Sequence, residues 1–117
     1  MINSQRLAKR FTMLAQIDSE SRHEAQVAGE IEKILTRMGA VVRYDTAKEK
    51  TGGDCSNLVA KFPGNRQVNP LFLSGHMDTV VPGKGVKVSF ADGVFKSDGT
   101  TILGSDDKSA IAVILEV

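Results

Sequence analysis

The sequence has 117 residues, 15 Lys+Arg against 14 Asp+Glu and 41% hydrophobic residues, the make-up of one folded unit rather than of a disordered chain. A net charge of +1 with interspersed signs offers no basic face to a nucleic-acid backbone and no polybasic strip to anionic lipid, which argues against both as partners. The single cysteine, Cys55, closes no intrachain disulfide and fits a reducing, cytoplasmic setting.

Taken in chain order, Met1 to Arg10 is polar and carries no signal-peptide pattern. Leu7, Phe11 and Leu14 recur at helical spacing, and Val27, Ile31, Ile34, Leu35 and Met38 do so more strongly, predicting two amphipathic helices. Ser21 with Glu24 three residues on predicts a capping box at the start of the second helix, and Gly39 predicts its stop. The period then shortens. Val41, Val42 and Tyr44 predict one strand, Thr51 to Asn57 a loop, and Asn57 to Phe62 a second strand closed by the turn Pro63-Gly64-Asn65.

Pro70 to Ser74 predicts a third strand whose Leu71-Phe72-Leu73 run has no polar face, so a central, doubly covered place in a sheet is expected. Val86, Val88 and Phe90, the turn Ala91-Asp92-Gly93 and Val94-Phe95-Lys96 predict a β-hairpin. From Lys108 the run Ser109 to Leu115 is apolar nearly all round, as in a buried helix, and at six strongly apolar residues, Ala110 to Leu115, it is too short to span a bilayer. The expected class is α/β: the opening part of a layered domain, a mixed sheet flanked by helices, with about 12,000 Å² of surface to bury. Because the chain stops at Glu116-Val117 in what reads as mid-helix, with no terminating signal, it is expected to be a truncated piece of a longer protein.

Two segments can carry chemistry. Ser74-Gly75-His76-Met77-Asp78-Thr79 follows the apolar strand, where functional groups gather in open α/β sheets, and the two-residue spacing turns His76 and Asp78 the same way if the strand persists. An imidazole beside a carboxylate is a metal ligand with an orienting partner, half of a nucleophilic triad, or a hydrogen-bonded strand end. Ser97 to Lys108 leads from the hairpin into the last helix and presents Asp106 and Asp107 after Gly99 and Gly104. The pair either complements the helix dipole or offers hard oxygen ligands to a divalent cation. A phosphate loop fails because Ser105-Asp106-Asp107 separates Gly104 from Lys108, and neither an aspartic-protease triplet nor a Gly-x-Ser-x-Gly elbow occurs. His23 reads as a solvent-facing residue of a first helical turn, and Cys55 as a bystander.

In combination, Ser74-Gly75-His76-Met77-Asp78-Thr79-Val80-Val81-Pro82-Gly83 and Ser97 to Lys108 resemble the N-terminal part of the di-zinc metallopeptidases of the peptidase T and carboxypeptidase G type, most closely the tripeptidase branch. The resemblance implies that residues 1–117 are the N-terminal portion of a catalytic, zinc-binding domain, with the rest of that domain and a lid domain absent. It implies that His76 binds one zinc, that Asp106 bridges two, and that Asp78 serves catalysis by orienting the His76 ring. Asp107 would be structural, across a peptide bond that is typically cis in this family. Ala110 departs from the glycine that relatives often carry.

The implied activity is zinc-dependent removal of the N-terminal residue from short peptides by a di-zinc-activated water. The Glu-Glu pair, a further carboxylate and a distant His that such a site needs would lie beyond Val117, so the chain alone is expected to bind zinc weakly, to be inactive, and to self-associate through exposed apolar faces. Another amide hydrolase of the same superfamily, such as an acyl-amino acid deacylase, or a non-catalytic binding module retaining the motif, are the alternatives.

Overall fold

A computed structural model describes all residues, Met1–Val117. The helices are α1 (Ser4–Ala15), α2 (Ala25–Arg37), the single turn α3 (Lys48–Thr51) and α4 (Ser105–Ile114). The strands β1 (Val41–Tyr44) and β2 (Leu58–Lys61) pair antiparallel, as do β3 (Val88–Ala91) and β4 (Val94–Ser97). The chain is thus α/β, with two small antiparallel sheets rather than one mixed sheet. No helix is long and apolar enough to cross a membrane.

Local signals account for several element ends. Asn3 caps α1 by accepting from the Arg6 N–H. α2 ends in a Schellman motif: Gly39 takes φ +95°, its N–H bonds Thr36 and the Ala40 N–H bonds Leu35, satisfying carbonyls the helix leaves free. Asp92 and Gly93, at φ +52° and +77°, form the two-residue turn that suits the twist of the β3–β4 hairpin.

The core joins Phe11, Leu14 and Ala15 of α1, Val27, Ile31 and Leu35 of α2, and Ile111, Ala112 and Leu115 at the end of α4. Phe95 of β4 meets Phe11 edge-on at 4.7 Å and stacks on Phe90 at 4.1 Å, which fastens the hairpin to α1.

Three further expectations are corrected. Ser21 and Glu24 do not form a capping box: Glu24 accepts from the Arg22 N–H, the Ala25 N–H goes to Asp54, and Ser21 points elsewhere. His23 accordingly sits in the turn before α2, exposed. Second, residues 70–74 make no strand ladder, and Leu71, Phe72 and Leu73 are 84%, 82% and 47% exposed. The run is apolar enough for a sheet centre, but no strand of this chain pairs with it, and α4 flanks only its Leu73 end. Third, α4 opens at Ser105 rather than Lys108 and does not run on to Val117: it winds down at Ile114, where the Glu116 and Val117 N–H groups both close on Val113, and its outer face, Val113 included, is exposed as expected.

The result is an open molecule. Its 8116 Å² of accessible surface exceeds by about 1,900 Å² what a compact monomer of this mass shows, and its 15.0 Å radius of gyration exceeds the roughly 13 Å expected for this length.

Candidate metal centre

The site forms where the segment through Ser74-Gly75-His76 passes the start of α4. Gly75 permits the approach: a side chain there would meet the Asp107 carboxylate at 3.1 Å and Ile111 at 3.4 Å. Gly104, at φ +74°, turns the chain into α4, and Asp106 (φ −91°, ψ 103°) and Asp107 (φ −121°, ψ 28°) leave helical geometry around a cis Asp106–Asp107 peptide bond. Asp107 lies against Gly75, whereas the Asp106 side chain is 93% exposed and faces His76.

The two segments converge on the His76 ring. Its Nε2 is 3.0 Å from Asp106 Oδ1, thirty residues along the chain. Its Nδ1 is 3.1 Å from Asp78 Oδ1 and 3.0 Å from the Asp78 carbonyl oxygen. The hydrogen bond to Asp106 is the main cause holding the imidazole pKa above its ordinary value, with Asp78 adding to it against partial desolvation. The Asp78 carboxyl is held below the usual carboxylate range, first by the Ser21 hydroxyl and then by His76.

Ser21 is the participant that the sequence did not reveal. Its Oγ donates to Asp78 Oδ2 at 2.5 Å, the length of a charge-assisted bond. The residues around it brace the same loop: Ser19 Oγ donates to the Met77 carbonyl at 2.9 Å, the Thr79 N–H donates to the Ser19 carbonyl at 2.9 Å, and Glu20 and Asp18 accept from the Gly83 and Gly85 N–H groups. No local pattern signals these contacts, which span 57 residues or more.

The donor set fits half of a zinc site. Nε2 and an Asp106 oxygen are adjacent, and the second ring nitrogen is engaged by a carboxylate, as in metal-bound histidines. A zinc site takes three or four protein ligands, and no group of three or more His, Cys, Asp or Glu side chains in this chain is arranged to hold an ion. His23 and Cys55 are not drawn into the site; burial pushes the Cys55 thiol pKa up, the reverse of a reactive thiolate.

No protein-family model matches the chain. It is 41% identical over 116 residues to the uncharacterized protein YqjE of Bacillus subtilis, and 29% identical over 91 residues to peptidase T of Limosilactobacillus fermentum. Among solved structures, aminopeptidase PepT from Bacillus cereus superposes with a TM-score of 0.94 at 42% identity over 98% of the chain. A tripeptidase from Staphylococcus aureus gives 0.94 and 42% over 99%. The chain spans less than a third of the length of these relatives, 31% of YqjE and of each structure and 22% of the Limosilactobacillus peptidase T. In sequence and in fold, over nearly all of its residues, this chain is peptidase T-like.

Proposed function

We propose that the chain contributes His76 and Asp106 as metal ligands, and Asp78 as the orienting carboxylate, to a di-zinc exopeptidase of the peptidase T type that removes the N-terminal residue from short peptides. The observation that carries this reading is the His76 ring held between two carboxylates, Nε2 at 3.0 Å from Asp106 and Nδ1 at 3.1 Å from Asp78. When bound, two zinc ions supply Lewis acidity at the scissile carbonyl and lower the pKa of a water enough to give a nucleophile near neutral pH. His76 would hold one ion through Nε2 and Asp106 would bridge both. Asp78 keeps the ring turned so that Nε2 faces Asp106. Cys55, a single free thiol, suits action in a reducing, cytoplasmic setting.

With one imidazole and one bridging carboxylate as its ligands, the 117-residue chain is expected to bind zinc weakly and not to turn over. Titrating zinc into it while following the histidine side-chain nitrogens by NMR should move His76 and leave His23 in place, and His76→Ala should abolish the response. A silent His76, or turnover of a tripeptide by the chain alone, would overturn this assignment. An acyl-amino acid in place of the tripeptide tests the other amide-hydrolase reading in the same assay on a longer chain.

The bare face beside the site has its own consequence. Leu73, Ser74, Ser109, Ala110, Val113 and Ile114 line an open groove of about 340 Å³ next to exposed Leu71 and Phe72. The surplus surface of the whole chain, about 1,900 Å², is larger than the roughly 800 Å² per partner that a stable interface needs, and this face holds its longest exposed apolar run. The isolated chain is therefore expected to self-associate here. Light scattering over a concentration series should give a rising mass, and Phe72→Glu should restore the mass of one chain; a monomer throughout would refute the expectation.

A further inference from the structure

We infer that Ser21 is a positioning residue for the candidate metal centre: its hydroxyl fixes the Asp78 carboxylate so that Asp78 Oδ1 meets His76 Nδ1 and Nε2 is left to face Asp106. The inference deepens the reading of the site given above and rests on it for its functional meaning. Its geometric basis is independent of that reading. A half-buried carboxylate such as that of Asp78 still turns about two bonds, and a hydrogen bond from one oxygen to the ring fixes it only in part. Here the second oxygen is also held, by Ser21 Oγ at 2.5 Å.

The backbone that carries Ser21 is itself fixed against the site loop. Ser19 is fully buried and bonds that loop twice, once through its hydroxyl to Met77 and once through its carbonyl to Thr79. Glu20 runs parallel to Thr79 in a single β-bridge and accepts from the Gly83 N–H at 2.9 Å. The Ser21 hydroxyl therefore arrives at Asp78 from a preset frame rather than from a free loop, which lowers the entropy cost of holding the carboxylate. The exposure of Ser21, and the absence of any cap bond from it to α2, leave orientation of Asp78 as its one polar role in the structure.

The test is the tautomer of His76 in the chain as it stands, read from its side-chain nitrogens at about pH 9.5, where an imidazole is neutral. Nδ1 faces two oxygens of Asp78 whereas Nε2 faces one exposed carboxylate, so the Nδ1–H form is expected to dominate in the unmodified chain. Ser21→Ala and Ser21→Val should each lower the ratio of Nδ1–H to Nε2–H about fivefold, the effect of one ordinary hydrogen bond, because the Asp78 carbonyl still faces Nδ1. Ser21→Thr, which keeps the hydroxyl on the frame of valine, should preserve the ratio. His23 serves as the internal reference and should not respond.

An unchanged ratio in the alanine and valine variants would overturn the inference, and so would an equal loss in all three, since that would trace to packing rather than to the hydroxyl. If alanine leaves the loop unfolded, the threonine and valine pair decides alone. Failure here is distinct from failure of the metallopeptidase reading, which the zinc response of the unmodified chain decides separately.

Discussion

Leu14→Ala is expected to cost about 3 to 5 kcal/mol of folding free energy, enough to remove most of the stability of this chain. Typical values per residue put a domain of this length at roughly 6 to 18 kcal/mol, and a molecule with only 19 of 117 residues buried belongs at the low end. Leu14 is fully buried in the one cluster that joins α1, α2 and α4, so the cavity left by alanine opens where three elements meet. Leu14→Met, which keeps the volume, should cost less than about 1.5 kcal/mol, and Leu71→Ala on the bare run should change stability by no more than about 0.5 kcal/mol. Urea midpoints of the three variants check this. Equal shifts for Leu14→Ala and Leu71→Ala would mean that the core lies elsewhere.

The contrast between these two leucines also shows what a sequence conveys. Hydrophobic period reports how a segment would be buried, and where the partner is close in the chain the report is accurate. Leu7, Phe11 and Leu14 lie on the covered side of α1, and Gly39 ends α2 as read, because helix period and chain reversal are local properties. Leu71-Phe72-Leu73 says "covered on both faces" with equal clarity, but burial is a property of two surfaces and this chain supplies one of them.

Ser21 fails for a related reason. A hydroxyl three residues before Glu24 satisfies the capping-box pattern, but the Asp78 carboxylate, 57 residues away, offers it a charge-assisted bond, and Asp54 takes over an N–H at the start of α2 from outside the helix. At the site, the two-residue spacing of His76 and Asp78 was readable as local geometry. The meeting with Asp106 was not: neither period nor composition brings residue 106 to residue 76, and only the joint resemblance of the two motifs to the peptidase T branch pointed there.

Acid should loosen the seam between the start of α1 and the end of α4. Glu116, whose side chain is 1% exposed, accepts from the Asn3 N–H at 2.7 Å and from Arg6 at 2.8 and 2.6 Å, with Arg10 at 3.1 Å. These partners, Arg6 foremost, hold its pKa at about 2 against an ordinary 4.5. The sign follows from linkage: between the two values the unfolded chain binds the proton and the folded chain does not. The stabilisation by the ionised carboxylate is therefore complete above about pH 4.5 and is lost as pH falls toward about 2. Arg6 is half exposed, so solvent and salt screen part of this effect.

Asp45, Asp78 and Asp98 also have lowered pKa values, and the acid response of the unmodified chain is a composite. Comparison with Glu116→Gln isolates one component. The variant should be the less stable protein at neutral pH, and the gap in urea midpoint should narrow steadily below about pH 4.5 and close near pH 2. A gap that stays constant across that range would show that Glu116 holds the seam by packing alone and that its charge contributes nothing to joining the two helices.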